Sequence, residues 1–310
     1  AWLRDKLREI PGIEFVEGEW GTGLVAILRG GRPGPLVACR ADIDALPVTE
    51  ATGLDYASTA TDTLNGRKVG VMHACGHDVH AAVLLGAARV LSEVRETLPG
   101  SVLFLLQPAE EIGAGAYALI EAGALRAAGR PVAIYAIHDH PTILSGQVGY
   151  CPGWSAANVD DFRIQVLGRG GHGAYPHRTI DPVVIAAEMV LAFQKIRSRE
   201  IDANSPAVIT IGAIRGGTAS NVIPDRVELH GTARSLDPAV RERIRDAIIR
   251  TAKGIAEAAG APEPEIRYNY GTPSMYNHPV EAERAAAVLR RVLGEENVLH
   301  YAPGMGGEDF

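Results

Sequence analysis

Between residues 35 and 150, short continuous apolar runs alternate with stretches whose apolar residues recur every three or four positions. The runs PLVACRAD, SVLFLLQ and PVAIYAIH suit strands covered on both faces. DVHAAVLLGAARVLSEV and GAYALIEAGAL carry one apolar stripe each and read as helices, as does the opening AWLRDKLREI. Strands and helices in alternation predict an α/β layer built on a mainly parallel sheet with flanking helices.

The pattern changes near GWSAANVDDF. VDDFRIQVLG predicts a strand, residues 180–199 a helix, PAVITIGAI and DRVELHGTAR two strands, residues 238–259 a helix, and PEIRYNY a strand. This βαββαβ order is the ferredoxin-like arrangement, an antiparallel sheet with two helices on one face. A further helix, EAERAAAVLRRVL, and a glycine-rich turn follow. The expected organisation is a first domain over 1–155, an inserted domain over 156–270 and a return segment over 271–310.

A chain of 310 residues supports two domains. Hydrophobic residues at 46% and charged residues at 22% are ordinary for a globular protein. The net charge of −7 and the lack of a basic run exclude nucleic acid as the main partner. No apolar run approaches the roughly 20 residues of a membrane span, so no membrane partner is expected. Three cysteines without a CxxC spacing fit a reducing compartment. The N-terminal segment does not read as a signal peptide, so the expected location is cytoplasmic.

The chemistry gathers at strand ends. Asp42 and Asp44 follow VACR, Glu110 and Glu111 follow VLFLLQ, and His138 and His140 follow AIYAI. Ligands of open α/β sheets bind outside the carboxyl ends of the strands. With HACGHDVH (residues 73–80) in a fourth loop, these clusters predict one site. Thiolate, imidazole and carboxylate together suit zinc, manganese, cobalt or nickel better than calcium or magnesium. Cys75 and His77, two residues apart, need a loop to reach one centre. Glu110 and Glu111 cannot face the same way just after a strand, so one would bind metal while its neighbour held the attacking water.

Other readings stay open at this point. His73, His77 and His80 fall on nearly one helical face and could form a capped, hydrogen-bonded cluster. Cys75 precedes a helix, whose dipole lowers a thiol pKa, so a nucleophilic thiol competes with a metal ligand. Cys39, inside a strand, reads as a core residue, and Cys151 has no visible partner. The absence of GxSxG and of a P-loop leaves serine-hydrolase and nucleotide chemistry without support.

Six ordered motifs carry a resemblance: RADIDALPVTE, GVMHACGHDVHAA, LLQPAEE, GGHGAYPH with a following DP, GGTASNVIPD and GMGGEDF. From about residue 36 to 310 the chain resembles the dinuclear metal amidohydrolases of the aminoacylase and hippurate hydrolase group. That group includes the indole-acetyl-amino-acid hydrolases and belongs with carboxypeptidase G. The resemblance implies a metallopeptidase-like α/β catalytic domain interrupted by a lid that mediates homodimerisation.

It also implies roles. Cys75, His77, Glu111 and His138 would hold two divalent metal ions, Mn, Zn, Co or Ni. Glu110 would be the general base, and Asp44 would support a ligand from behind. Asp42 stands where related branches place a histidine ligand, and its role is open. His73 and His80 are expected to be structural. His172, in GGHGA, would stabilise the oxyanion, often in the partner subunit's site. Asn221, Arg234 and His177 would contact the substrate.

Relatives continue beyond GGEDF to a last strand and a fifth, histidine ligand, and begin with a further helical segment. The chain is therefore expected to be trimmed at both ends. The expected activity is hydrolysis of the amide bond of N-acyl amino acids. A dipeptidase or carboxypeptidase with the same machinery is the nearest alternative, and a non-catalytic scaffold binding acyl-amino acids is the third.

Overall fold

The computed structural model describes residues 1–310, which divide into two compact units: Ala1–Ser145 with Asp309–Phe310, and Gly146–Glu308. The first unit contains α1 (Trp2–Arg8), β1 (Ile13–Phe15), β2 (Leu24–Arg29), β3 (Arg32–Asp42) and a hairpin of β4 (Thr61–Leu64) and β5 (Arg67–Gly70). It continues through α2 (His77–Glu93), β6 (Pro99–Gln107), α3 (Gly115–Glu121) and β7 (Ala133–Ala136).

Five strands form one sheet in the order β1-β2-β6-β3-β7. The three expected strands, β3, β6 and β7, are parallel to one another. The short IEF and LVAILR segments add β1 and β2 antiparallel along the other edge, so the sheet is mixed. Strand β6 shows why its sequence is continuously apolar. Val102, Phe104 and Leu106 pack with Leu7 of α1 and Leu84 and Ala88 of α2, while Leu103 and Leu105 pack on the opposite face with Leu119 of α3. Phe104 is fully buried, and truncating such a side chain to alanine costs about 3–5 kcal/mol.

Helix α2 starts abruptly. Gly76, its N-cap, has φ 75°, a left-handed conformation that favours glycine. A Cβ there would also lie 2.0 Å from Asp139 Oδ1, so space as well as dihedral demands glycine.

The second unit opens with β8 (Val148–Tyr150) and β9 (Gly153–Ala156), then β10 (Asp160–Leu167), β11 (Gly171–His172), α4 (Pro182–Arg199) and β12 (Ala207–Gly216). It closes with β13 (Val222–Ile223), β14 (Arg226–Ser235), α5 (Pro238–Ala258), β15 (Glu265–Asn269), β16 (Met275–Asn277), α6 (Pro279–Leu293) and β17 (Val298–His300). The order β10, α4, β12, β14, α5, β15 is the expected βαββαβ, and its sheet β12-β14-β10-β15 is antiparallel throughout. Alternate residues of β10, Phe162, Ile164 and Val166, are buried in one core with Ile185, Met189 and Phe193 of α4 and Ile244 and Ile248 of α5.

Both helices begin the same way. Asp181 and Asp237 accept the backbone N–H of Val183 and Ala239, with proline at the first helical position. Residues 271–308 group with this unit: β16 pairs with β9, and β17 runs parallel to β8. No helix is long and apolar enough to cross a membrane.

Candidate metal centre

The parallel strands of the first unit bring the predicted residues to one edge. Asp42 lies opposite Gln107 and Arg40 opposite Ala136, so β3, β6 and β7 end side by side. Asp44, Glu110, Glu111 and His138 follow immediately, and the start of α2 supplies Cys75 and His77 to the same place. Ligand atoms of Cys75, His77 and Glu111 lie within 4.8 Å of one another. His138 Nε2 is 3.7 Å from Cys75 Sγ.

His77 is the centre of this arrangement, with a side chain only 1% exposed. Its Nδ1–H faces Asp44, 3.1 Å from both the carbonyl and Oδ1, and the other oxygen of that carboxylate accepts the Glu111 N–H. Asp44 therefore orients one imidazole and anchors the backbone of a neighbouring acid. Nε2 of His77 then points to Glu111 Oε1 at 3.8 Å and Glu110 Oε2 at 3.9 Å. His77 Nε2 and Glu111 Oε1 are both buried and lack a hydrogen-bond partner. Leaving such an atom unpaired costs about 1–3 kcal/mol. A divalent cation satisfies both atoms at once, and the sulfur, nitrogen and oxygen donors suit a transition metal.

Two expectations change. Glu110 and Glu111 do not face opposite ways, because β6 stops at Gln107 before they are reached. Ala109 takes φ 57°, and Glu110 opens a turn closed by Gly113 N–H donating to its carbonyl at 2.7 Å. Strand alternation no longer applies, and both carboxylates come within 4 Å of His77 Nε2. The Cys75 thiol is also not activated by the helix. Burial, followed by the charges of Glu111 and Glu110, pushes it up to about 12. Burial and the acids together keep the thiol protonated, so a thiolate here needs a cation beside it, which disfavours the nucleophilic reading.

Behind the donors lies a buried polar network, of which sequence reasoning named Asp42 and His80 but missed Arg40, Gln107 and Asp309. Arg40 donates to Gln107 Oε1 at 2.8 Å and to Asp42 Oδ2 and Asp309 Oδ1 at 2.9 Å each. Asp42, whose role was open, is fully buried and accepts the Nδ1–H of His80 at 2.5 Å. Despite burial, the His80 bond and the nearby Arg40 and His77 hold the Asp42 carboxyl below its usual range. Burial works against a charge on His80, but Asp42 and Asp139 raise its pKa. Asp42, His77, His80 and His138 also place ligand atoms within 4.8 Å of one another. The available signal was polarity inside apolar runs: Arg40 within β3 and Gln107 at the end of β6. His73 is exposed and donates its Nδ1–H to the Asp44 carbonyl at 3.0 Å.

The remaining predicted residues lie in the second unit. His172, on β11, pairs with Val222, and its Nδ1 accepts the Ala174 N–H at 3.1 Å. Asn221 lies beside it, its carbonyl accepting the Gly173 N–H at 2.8 Å. Tyr175 stands between the rings of His172 and His177. Arg234, on β14, donates to the Met305 carbonyl at 3.0 Å.

Residues 38–310 match the family described as Peptidase family M20/M25/M40. The chain belongs to that family. It is a metal-dependent amidohydrolase, and the family match and the donor set agree with the expected divalent-metal cofactor. A relative from Bacillus subtilis (strain 168), named N-acetylcysteine deacetylase, is 38% identical over 309 residues, which is 100% of this chain and 77% of that protein. An N-acyl-L-amino acid amidohydrolase of Geobacillus stearothermophilus is 40% identical over 258 residues, 83% of this chain and 66% of the relative. A Bacillus subtilis crystal structure, described as a dinuclear metal binding peptidase from the M20 family, aligns with a TM-score of 0.82 and 35% identity. That alignment covers 100% of this chain and 77% of the other.

Proposed function

We propose that the protein hydrolyses the amide bond of N-acyl amino acids, releasing a carboxylic acid and a free amino acid. The observation that carries this reading is the pair of buried, partnerless atoms His77 Nε2 and Glu111 Oε1, beside Cys75 and a second carboxylate, Glu110. The names of the two relatives above support the substrate class. In this reading Cys75, His77, Glu111 and His138 hold the metal ions. When bound, these ions supply Lewis acidity toward water and the amide carbonyl.

Glu110 takes a proton from the attacking water on its carboxylate and returns it to the departing amine nitrogen. Asp44 fixes the His77 ring so that Nε2 faces the centre. Residues 156–270 act as a lid and a homodimer contact, and His172 donates to the carbonyl oxygen as negative charge gathers there. Asn221, Arg234 and His177 hold the substrate carboxylate. Arg234 spends one N–H on Met305 and, with five donors, retains others for that clamp. A cytoplasmic location suits the cysteine usage.

The deciding experiment is elemental analysis of metal per chain on protein purified without chelator, followed by a panel of N-acyl amino acids headed by hippurate. Bound metal with turnover of N-acyl amino acids over dipeptides supports the reading. Preference for dipeptides transfers the chemistry to a peptidase. Metal without turnover of either class leaves a binding scaffold.

A further inference from the structure

His138 is the most exposed of the four assigned ligands, its side chain 44% accessible, so packing alone does not fix its ring. Its orientation is fixed by a bond from its own Nδ1–H to the carbonyl of Asp139 at 2.6 Å, which turns Nε2 toward Cys75 Sγ. What holds Asp139 therefore decides where His138 points. The backbone N–H of Asp139 donates to Nε2 of His80 at 2.9 Å, and Asp139 Oδ1 lies 3.0 Å from the same nitrogen.

His80 is itself buried and held at both ring nitrogens. Its side chain is 2% exposed, and its Nδ1–H meets Asp42, which Arg40 grips in turn. The His80 and His138 rings meet at a centroid distance of 4.4 Å. On the other side the Asp139 carboxylate packs against the bare Cα of Gly76, where a Cβ would lie 2.0 Å from Oδ1. Both ring nitrogens of His80 are engaged by Asp42 and Asp139, so neither is spare for a metal ion.

We propose that His80 is a positioning residue that sets the orientation of His138 by holding the main chain of Asp139. The proposal rests on the reading of His138 as a ligand, and the test separates the two. Manganese binding to the metal-stripped chain is measured by titration calorimetry for the parent, His138→Ala, His80→Gln and His80→Asn. A glutamine amide reaches the place of Nε2 and keeps a partner for Asp139. An asparagine amide reaches only the place of Nδ1, keeping Asp42 partnered and releasing Asp139.

His80→Asn is expected to weaken manganese binding by about 10–100-fold, the range for partners that orient metal ligands. His80→Gln is expected to keep most of the affinity, and kcat of the reloaded enzymes should follow the same order. A purely structural His80 would shift thermal midpoints while leaving manganese affinity unchanged in both variants, which overturns the proposal. Both variants losing affinity as fully as His138→Ala would make His80 a ligand, which also overturns it. If His138→Ala binds manganese like the parent, the ligand reading itself fails. Should the His80 variants not fold, hydrogen exchange in the parent decides. A protected Asp139 amide supports the brace, and exchange at the rate of an open loop refutes it.

Discussion

His77 Nε2 and Glu111 Oε1 face one another across 3.8 Å, buried, with no hydrogen-bond partner for either. Their positions follow from one carboxylate: Asp44 receives the other nitrogen of His77 and the backbone N–H of Glu111. An acid behind the pair thus aims both donors into a space that a cation satisfies and a hydrogen bond between them does not.

Metal should therefore stabilise the fold. Adding manganese at about 100 times its dissociation constant is expected to raise stability by about 2.7 kcal/mol. Chelator should reverse the effect. Differential scanning calorimetry with and without metal reads it directly, and equal midpoints would remove the centre from the folded state's stabilisation.

Affinity should also depend on pH. With the Cys75 thiol pushed up to about 12, the metal-free site holds that proton throughout the neutral range. Binding through the thiolate releases it, so apparent affinity should rise by about tenfold per pH unit between roughly pH 7 and 9. Cys75→Ser should weaken binding and flatten this slope. A slope unchanged by that substitution would take Cys75 off the ligand list.

The two glutamates should separate by what they lose. Glu110→Gln is expected to lower kcat by about 10²–10⁴-fold with metal content intact. Glu111→Gln should lose metal first. The reverse pattern in paired kinetic and elemental measurements would exchange their roles.

Gly76→Ala should cost about 1–3 kcal/mol, since it imposes φ 75° on a residue with a Cβ and drives that atom into Asp139. Urea unfolding measures the loss. Metal affinity should fall with it, because Cys75 and His77 flank the glycine.

If His172 serves the partner subunit's site, mixing Glu110→Gln and His172→Ala subunits should restore part of the activity that each lacks alone. A mixture as inactive as its parents, after exchange is shown by mass spectrometry, confines His172 to its own subunit.

Periodicity alone placed β3, β6, β7, α2 and the βαββαβ order, because burying a sheet face or a helix stripe imposes a repeat that local sequence displays. The motifs likewise marked Glu110, Glu111 and His138 as reactive types at strand ends and Cys75 and His77 in a fourth loop. The antiparallel β1 and β2 were not read, since three and six residues flanked by turns carry too little pattern.

The tertiary structure decided what long-range pairing controls. Arg40 and Asp42 on β3, His80 on α2, Asp139 after β7 and Asp309 near the last residue meet only through the pairing of β3 with β7 and the seating of α2 and of Asp309 against that edge. The same holds for the two glutamates. Alternation predicted opposite faces, and the left-handed turn at Ala109 set both beside His77. The identity of a donor is a property of its residue. Its direction is a property of the backbone and of the partners that hold its other atoms.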